Sequence, residues 1–168
     1  MAVPVDPFAA GKGRVLGIDL GARRIGIAVG DIETHTASPF ATLSRGKTIA
    51  DDAAVLSRLA AEQGAAVLVV GLPLNMDGSD GPQATLTREW AEAVAAATGL
   101  SLRLRDERLT SERAEHRIGP AGRGRSGGPP SPARRDAYRA RVDREAAALI
   151  LQDDLDAAVN EKTELISG

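Results

Sequence analysis

Three acidic residues stand out by the company they keep: Asp19, Glu107 and Asp143. Asp19 falls near the end of an alternating apolar run, Val15-Leu16-Gly17-Ile18-Asp19-Leu20. Gly21 then opens a turn, and Ile25-Gly26-Ile27-Ala28-Val29 reads as a returning strand. An ionised carboxylate buried in such a hairpin costs several kcal/mol unless a partner or metal meets it. Asp19 is therefore either a turn residue bonding the Gly21 region or a ligand. Glu107 follows a strand at Ser101–Arg105, and Asp143 sits on a helix between Val142 and the small pair Ala146-Ala147. Taken alone, a helical Asp there is a solvated surface charge.

Acids drawn from separated elements, in a chain with no cysteine and two histidines, point to hard divalent cations. Mg²⁺ and Mn²⁺ prefer oxygen ligands and keep waters that substrate phosphates can replace. Two such ions about 3.5–4 Å apart can activate a water and steady the leaving oxygen in phosphodiester hydrolysis. Strand alternation is awkward for this grouping. It places Glu107 with Arg103 and Arg105, opposite Leu102 and Leu104.

The elements that must position these residues follow from pattern. Thr36–Leu43 reads as a third strand, with Pro39 marking an edge or a bulge. Thr48 or Asp51 caps a helix whose stripe is Ala54, Val55, Leu59 and Ala60, ended by Gln63-Gly64. Ala65–Val70 is apolar without alternation, as in a central strand covered on both faces. The loop Gly71–Ser79 leaves the carboxyl end of that strand, where open α/β sheets bind ligands. Ser79 or Asp80 caps the next helix, with Pro82 in its first turn, and Asn75, Gly78 and Ser79 could face a phosphate. That helix spans about 83–98, with Leu86, Trp90, Val94 and Ala97 on one face, Trp90 being core rather than a stacking platform. Thr110 or Ser111 caps a short helix in which His116 is a surface residue. A last helix, about 133–158, buries Tyr138, Val142, Ala146, Leu149 and Ile150.

At 168 residues the chain suits one domain. The reading is a disordered leader at 1–13, a single domain at 14–158 with a mobile Gly/Pro-rich loop at 119–132, and a frayed tail at 159–168. No leader peptide or long apolar run is evident, which reads as a cytoplasmic protein with no membrane contact. The net charge of −2 makes no case for a polyanion, but its distribution does: 12 of 18 arginines lie between Arg103 and Arg144, against six acids. The basic loop could be a passive linker or could clamp a nucleic-acid backbone.

Four motifs carry a family resemblance: Gly17-Ile18-Asp19-Leu20-Gly21 with Arg24–Ala28, Gly71–Gly78, Asp106–Ser111, and Val142–Gln152. In this order, across about 14–156, the chain resembles the YqgF (RuvX) family of pre-16S ribosomal RNA nucleases, also described as Holliday-junction-resolvase-like. The resemblance implies an α/β, RNase H-like fold with a five-stranded mixed sheet flanked by helices. It also implies a divalent-metal nuclease with Asp19, Glu107 and Asp143 as catalytic carboxylates, maturing the 5′ end of 16S ribosomal RNA. Asp19, held on a strand, would be the shared metal ligand. Arg24, Arg108 and Arg144 would contact phosphates, with Asn75 and Ser79 on the opposite lip. The expected partner is nucleic acid, with structured DNA as the alternative substrate, and the expected state is a monomer or weak homodimer. The loop 119–132 departs from the family by its Gly/Pro content. Two other readings stay open. Asp-x-Gly after a strand also opens the phosphate site of actin-like and sugar kinases, although those need two such domains. A nucleic-acid-binding module without catalysis would need no carboxylate triad. With four aromatic residues there is no stacking platform, so recognition should lean on backbone charge and weaken with salt.

Overall fold

The computed structural model describes residues 5–168. A short helix α1 (Pro7–Ala10) leads into β1 (Arg14–Leu20), β2 (Arg24–Asp31) and β3 (Thr36–Ser44). Helix α2 (Ile49–Gln63), strand β4 (Ala65–Leu72), helix α3 (Pro82–Thr98) and strand β5 (Ser101–Asp106) follow, then α4 (Thr110–Ile118) and α5 (Pro132–Ser167). The sheet order is β3-β2-β1-β4-β5. Strands β1, β2 and β3 form an antiparallel meander, whereas β4 and β5 run parallel to β1, as expected of a mixed five-stranded sheet. The Gly21 amide closes the β1–β2 turn on the Arg24 carbonyl at 2.9 Å. Edge strand β3 slips register where Ala28 opposes Pro39 and Ile27 opposes Ala41, leaving Phe40 as the extra residue of a bulge.

Alternation along each strand divides the interior in two. Leu16, Ile18, Ile25, Ile27, Leu68 and Val70 point to one face, where α2 and α3 cover them with Leu56, Trp90 and Val94. Val15, Ala28, Val67 and Val69 point to the other, against Ala147, Ile150 and Leu151 of α5. Helix α4 packs outside α5 through Ala114, against Val142, Ala146 and Leu149. On α5 the expected Val142, Ala146, Leu149 and Ile150 are buried, with Tyr138 at the margin. Ala147, Ala148, Leu151 and Leu155 are buried as well, because the sheet covers one side of the helix and α4 another.

Several local expectations are corrected. The leader is not wholly loose: Asp6 caps α1, and Phe8 is buried against the α5 face; residues 1–4 lie outside the described residues. The α2 stripe is Ala53, Leu56 and Ala60 rather than one containing Ala54 and Val55, because buried Asp52 sets the helix rotation through bonds to its neighbours. On α3 Trp90 and Val94 are core as expected, but Leu86 and Ala97 point outward, and Ala84, Thr87 and Ala91 are inside. Thr48 does cap α2, in a reciprocal box with Asp51. For α3 the cap residue is Gly81, because Ser79 bonds within its own loop and Asp80 pairs with Arg88. The cap residue of α4 is Leu109, since the Thr110 hydroxyl instead donates to the Glu107 carbonyl. Helix α5 runs on through 159–167, where fraying was expected.

Candidate active site

The sheet gathers the three acids on one side. Residues Val15, Gly17 and Asp19 of β1 face α5, and so do Arg103 and Arg105 of β5, both of which reach Asp154 on that helix. Glu107, in step with Arg103 and Arg105, therefore lies on the same side as Asp19 and as the helix that bears Asp143. The alternation that looked awkward in the sequence is what brings Glu107 to this face, since Leu102 and Leu104 belong to the opposite core.

Glycines on both flanks of Asp19 make the room. Gly26 stands opposite Asp19 in the β1–β2 ladder, and a Cβ there would overlap the backbone carbonyl of Asp143. On the other flank Ile18 pairs with Val70, and a Cβ on the following Gly71 would lie 2.7 Å from Glu107 Cγ and 2.6 Å from Ile150 Cδ1. Gly17, further back on β1, admits Leu151, with a Cβ there 2.7 Å from that residue's Cβ. The Glu107 amide extends the ladder onto the Leu72 carbonyl at 3.0 Å, and Thr110 braces the Glu107 carbonyl at 3.1 Å. Gly26, Gly71 and Thr110 are supporting positions of this arrangement that the sequence reading missed as such. The available signal was a glycine inside each of two strands, a mark of close backbone approach.

Burial, reinforced by the charge of Asp143, raises the Asp19 carboxyl to about 7. Burial and the charge of Asp19 raise Glu107 to about 8, partly offset by the nearby Thr110 hydroxyl. Both groups thus hold protons well above the usual carboxylate range. Glu107 Oε2 is buried without a hydrogen-bond partner. Asp143 has one: Arg24 Nε lies 2.6 Å from its Oδ2, both side chains being partly exposed. Among the described residues no three acidic, histidine or cysteine side chains stand close enough to cage an ion in this arrangement, with Asp143 turned onto Arg24.

The other site residues divide by what they touch. Arg108 forks onto Asp106 at 2.7 Å and donates to the Met76 carbonyl at 2.9 Å, tying the end of β5 to the loop after β4. Asn75 donates to the Ser79 hydroxyl at 3.0 Å, and Asp77 accepts from the Ser79 amide and hydroxyl, so Asn75 and Ser79 hold the loop's own shape. Arg144 lines a hollow beside the α5 N-terminal turns. Leu109, immediately after Arg108, is a non-glycine residue in the left-handed region, with φ 63°. It lines a hollow together with Met76 and Glu107.

A family model described as RuvX, Holliday junction resolvase, matches residues 13–157. A protein of Acidiphilium cryptum (strain JF-5) is 41% identical over 147 residues, which cover 85% of this chain and 84% of that one. A protein of Anaeromyxobacter dehalogenans (strain 2CP-1 / ATCC BAA-258) is 46% identical over 143 residues, covering 85% of this chain and 96% of the other. Both carry the provisional name of pre-16S rRNA nuclease. Among solved structures, T. thermophilus RuvC in complex with a Holliday junction substrate aligns with a TM-score of 0.50 at 12% identity, over 88% of this chain and 96% of that one. That likeness shows the shared RNase H-like fold.

Proposed function

The chain belongs to the RuvX family, and from that footing we propose that it is a metal-dependent endonuclease whose substrate is the precursor of 16S ribosomal RNA. The observation that carries this reading is the approach of acids from β1, the end of β5 and α5 on one sheet face, with Asp19 coupled to both others. The names of the relatives support the choice of RNA.

The donor set fits a hard divalent cation, Mg²⁺ or Mn²⁺. It offers oxygens alone, and burial leaves Asp19 and Glu107 short of a positive partner, with Glu107 Oε2 unbonded. Asp19, Glu107 and Asp143 would hold two ions, with Asp19 shared because its strand is paired on both flanks. Such ions, when bound, supply a polarised water as nucleophile and neutralise the leaving oxygen. The chain's own residues do the rest. Asp143 would exchange its bond with Arg24 for the ion, which frees that guanidinium for a phosphate oxygen. Arg108 and Arg144 would bind flanking phosphates, and the loop held by Asn75 and Ser79 would form the opposite lip.

The test is direct. A precursor 16S fragment, a four-way DNA junction and a random single strand are each incubated with the protein in Mg²⁺, Mn²⁺ or EDTA, beside Asp19→Asn. The expected result is cleavage of the precursor that needs the metal and is lost in the variant. Cleavage that survives EDTA would overturn the metal mechanism. Cleavage confined to the junction would favour a second reading, resolution of DNA junctions, for which the description of the matching family model speaks. Binding without any cleavage would make the protein a nucleic-acid-binding module.

A further inference from the structure

The basic charge of this chain is neutralised unevenly. Eight arginines (24, 45, 88, 103, 105, 108, 113 and 117) have an acidic partner within 4.0 Å. Among the described residues the other ten have none, and seven of those ten lie in one segment, from Arg123 to Arg144. Three of the seven, Arg134, Arg141 and Arg144, line a hollow of about 420 Å³ between the loop 119–131 and the first turns of α5, together with Tyr138 and Gly122.

The helix puts these three in register. At 100° per residue, spacings of seven and ten keep Arg134, Arg141 and Arg144 within roughly a quarter turn of one another, and ten residues span about 15 Å. The stripe ends beside Asp143, so it leads away from the carboxylate site along one side of α5. Its far wall is fixed by side chains of α5. Arg134 donates to the Arg123 carbonyl at 2.9 Å, Arg135 to the Pro130 carbonyl at 3.1 Å, and the Tyr138 hydroxyl to the Gly119 carbonyl at 2.9 Å. These acceptors are neutral, so the guanidinium charges stay available. Against these seven arginines the segment holds two acids, Asp136 and Asp143, so its charge is strongly positive and a polyanion relieves the repulsion.

We infer that this hollow is a second binding site, which meets the cleavage cleft at Arg144 and extends beyond it, and that it holds the phosphodiester backbone of the substrate strand as it runs past Asp143 along α5. It rests on the nucleic-acid reading given above and adds to it a direction. The strand leaves the cleft toward the N-terminal end of α5, and Arg134 and Arg141 contact it where no chemistry occurs.

The test compares Arg134→Gln/Arg141→Gln with Arg14→Gln/Arg58→Gln, a control that removes the same charge from unpaired arginines at the start of β1 and on α2, outside this hollow. Binding of a 30-nucleotide single-stranded RNA is followed by fluorescence anisotropy in EDTA across a range of NaCl, with circular dichroism confirming that each variant is folded. Two lost phosphate contacts should flatten the slope of log K against log salt by about 1.4 in the first variant, and leave the control near wild type. A slope unchanged in the first variant overturns the site, and so does an equal loss in the control, which would reduce the effect to net charge. Cleavage of a dinucleotide substrate, which carries no phosphate beyond the scissile one, should be unaltered in Arg134→Gln/Arg141→Gln. A wild-type protein that binds the 30-mer but cuts nothing would tell against the nuclease reading, and the salt slope would still decide this one.

Discussion

At the scale of single residues the site is defined by carboxyls that keep their protons. Asp19 and Glu107 bind theirs more tightly folded than unfolded, because burial and mutual repulsion oppose ionisation. Each therefore adds stability that is complete below about pH 4 and is lost as the pH rises through 7 to 8. In EDTA, the melting temperature of the wild type relative to Asp19→Asn should fall between pH 5.5 and pH 9, and a flat difference would remove the burial argument. Divalent ions act in the opposite sense, since ligands must deprotonate to bind. Mg²⁺ titrations should release protons into the buffer and show tighter binding at pH 8.5 than at pH 6, which calorimetry in buffers of different ionisation enthalpy measures. Substituting any one of Asp19→Asn, Glu107→Gln or Asp143→Asn should remove several kcal/mol of transition-state stabilisation, or about 10²–10³-fold in metal-dependent cleavage rate.

Elements matter here as carriers of these residues, and they were legible to different degrees. The hairpin of β1 and β2 was readable because its alternation is local, as was the Thr48 cap that starts α2. The rotation of α2 was not. It depends on Asp52, a buried acid that takes the Trp90 indole N–H at 3.0 Å, the Gly46 amide at 2.7 Å and Arg45 at 3.4 Å. Such a partner set spans three elements and leaves no trace in a helical wheel. Asp154, buried under Arg103 and Arg105, escaped notice for the same reason. Asp52→Ala leaves the indole and the amide without their acceptor and should cost about 3 kcal/mol, read as a lowered denaturation midpoint with the denaturant slope unchanged. The seat of α5 on the sheet gives a sharper prediction. Gly26→Ala places a methyl group on the Asp143 carbonyl, where only backbone could yield, and should cost about 3 kcal/mol or more. Thermal unfolding checks it. In whatever fraction stays folded, metal affinity should also weaken, because Asp143 is pushed off the sheet.

The whole molecule is a sheet with different duties on its two sides. One side, under α2 and α3, is a core of large aliphatic residues and Trp90. The other carries α5, the three acids, and a small core closed at one end by α1, where Arg103 lies over the Phe8 ring at 4.1 Å. Phe8→Ala should therefore destabilise the domain by about 3 kcal/mol, measurable by denaturant titration, although the residue sits in a stretch that composition reads as loose. Family and fold were legible at this scale because four motifs kept their order along the chain. The convergence of their acids was not, since it needs the order β3-β2-β1-β4-β5, which no local pattern encodes. Among the described residues no helix is long and apolar enough to cross a membrane.

The glycines beneath α5 have a consequence for anyone mapping this protein by saturation mutagenesis. At Gly17 and Gly26 a Cβ would run into the backbone of α5, so nearly every replacement at these two positions should score as badly as a lost carboxylate. An activity screen alone would enrol two chemically inert residues in the catalytic roster. Soluble yield should sort the two groups: the glycine variants are expected to be depleted from the lysate supernatant, and Asp19→Asn to remain abundant in it.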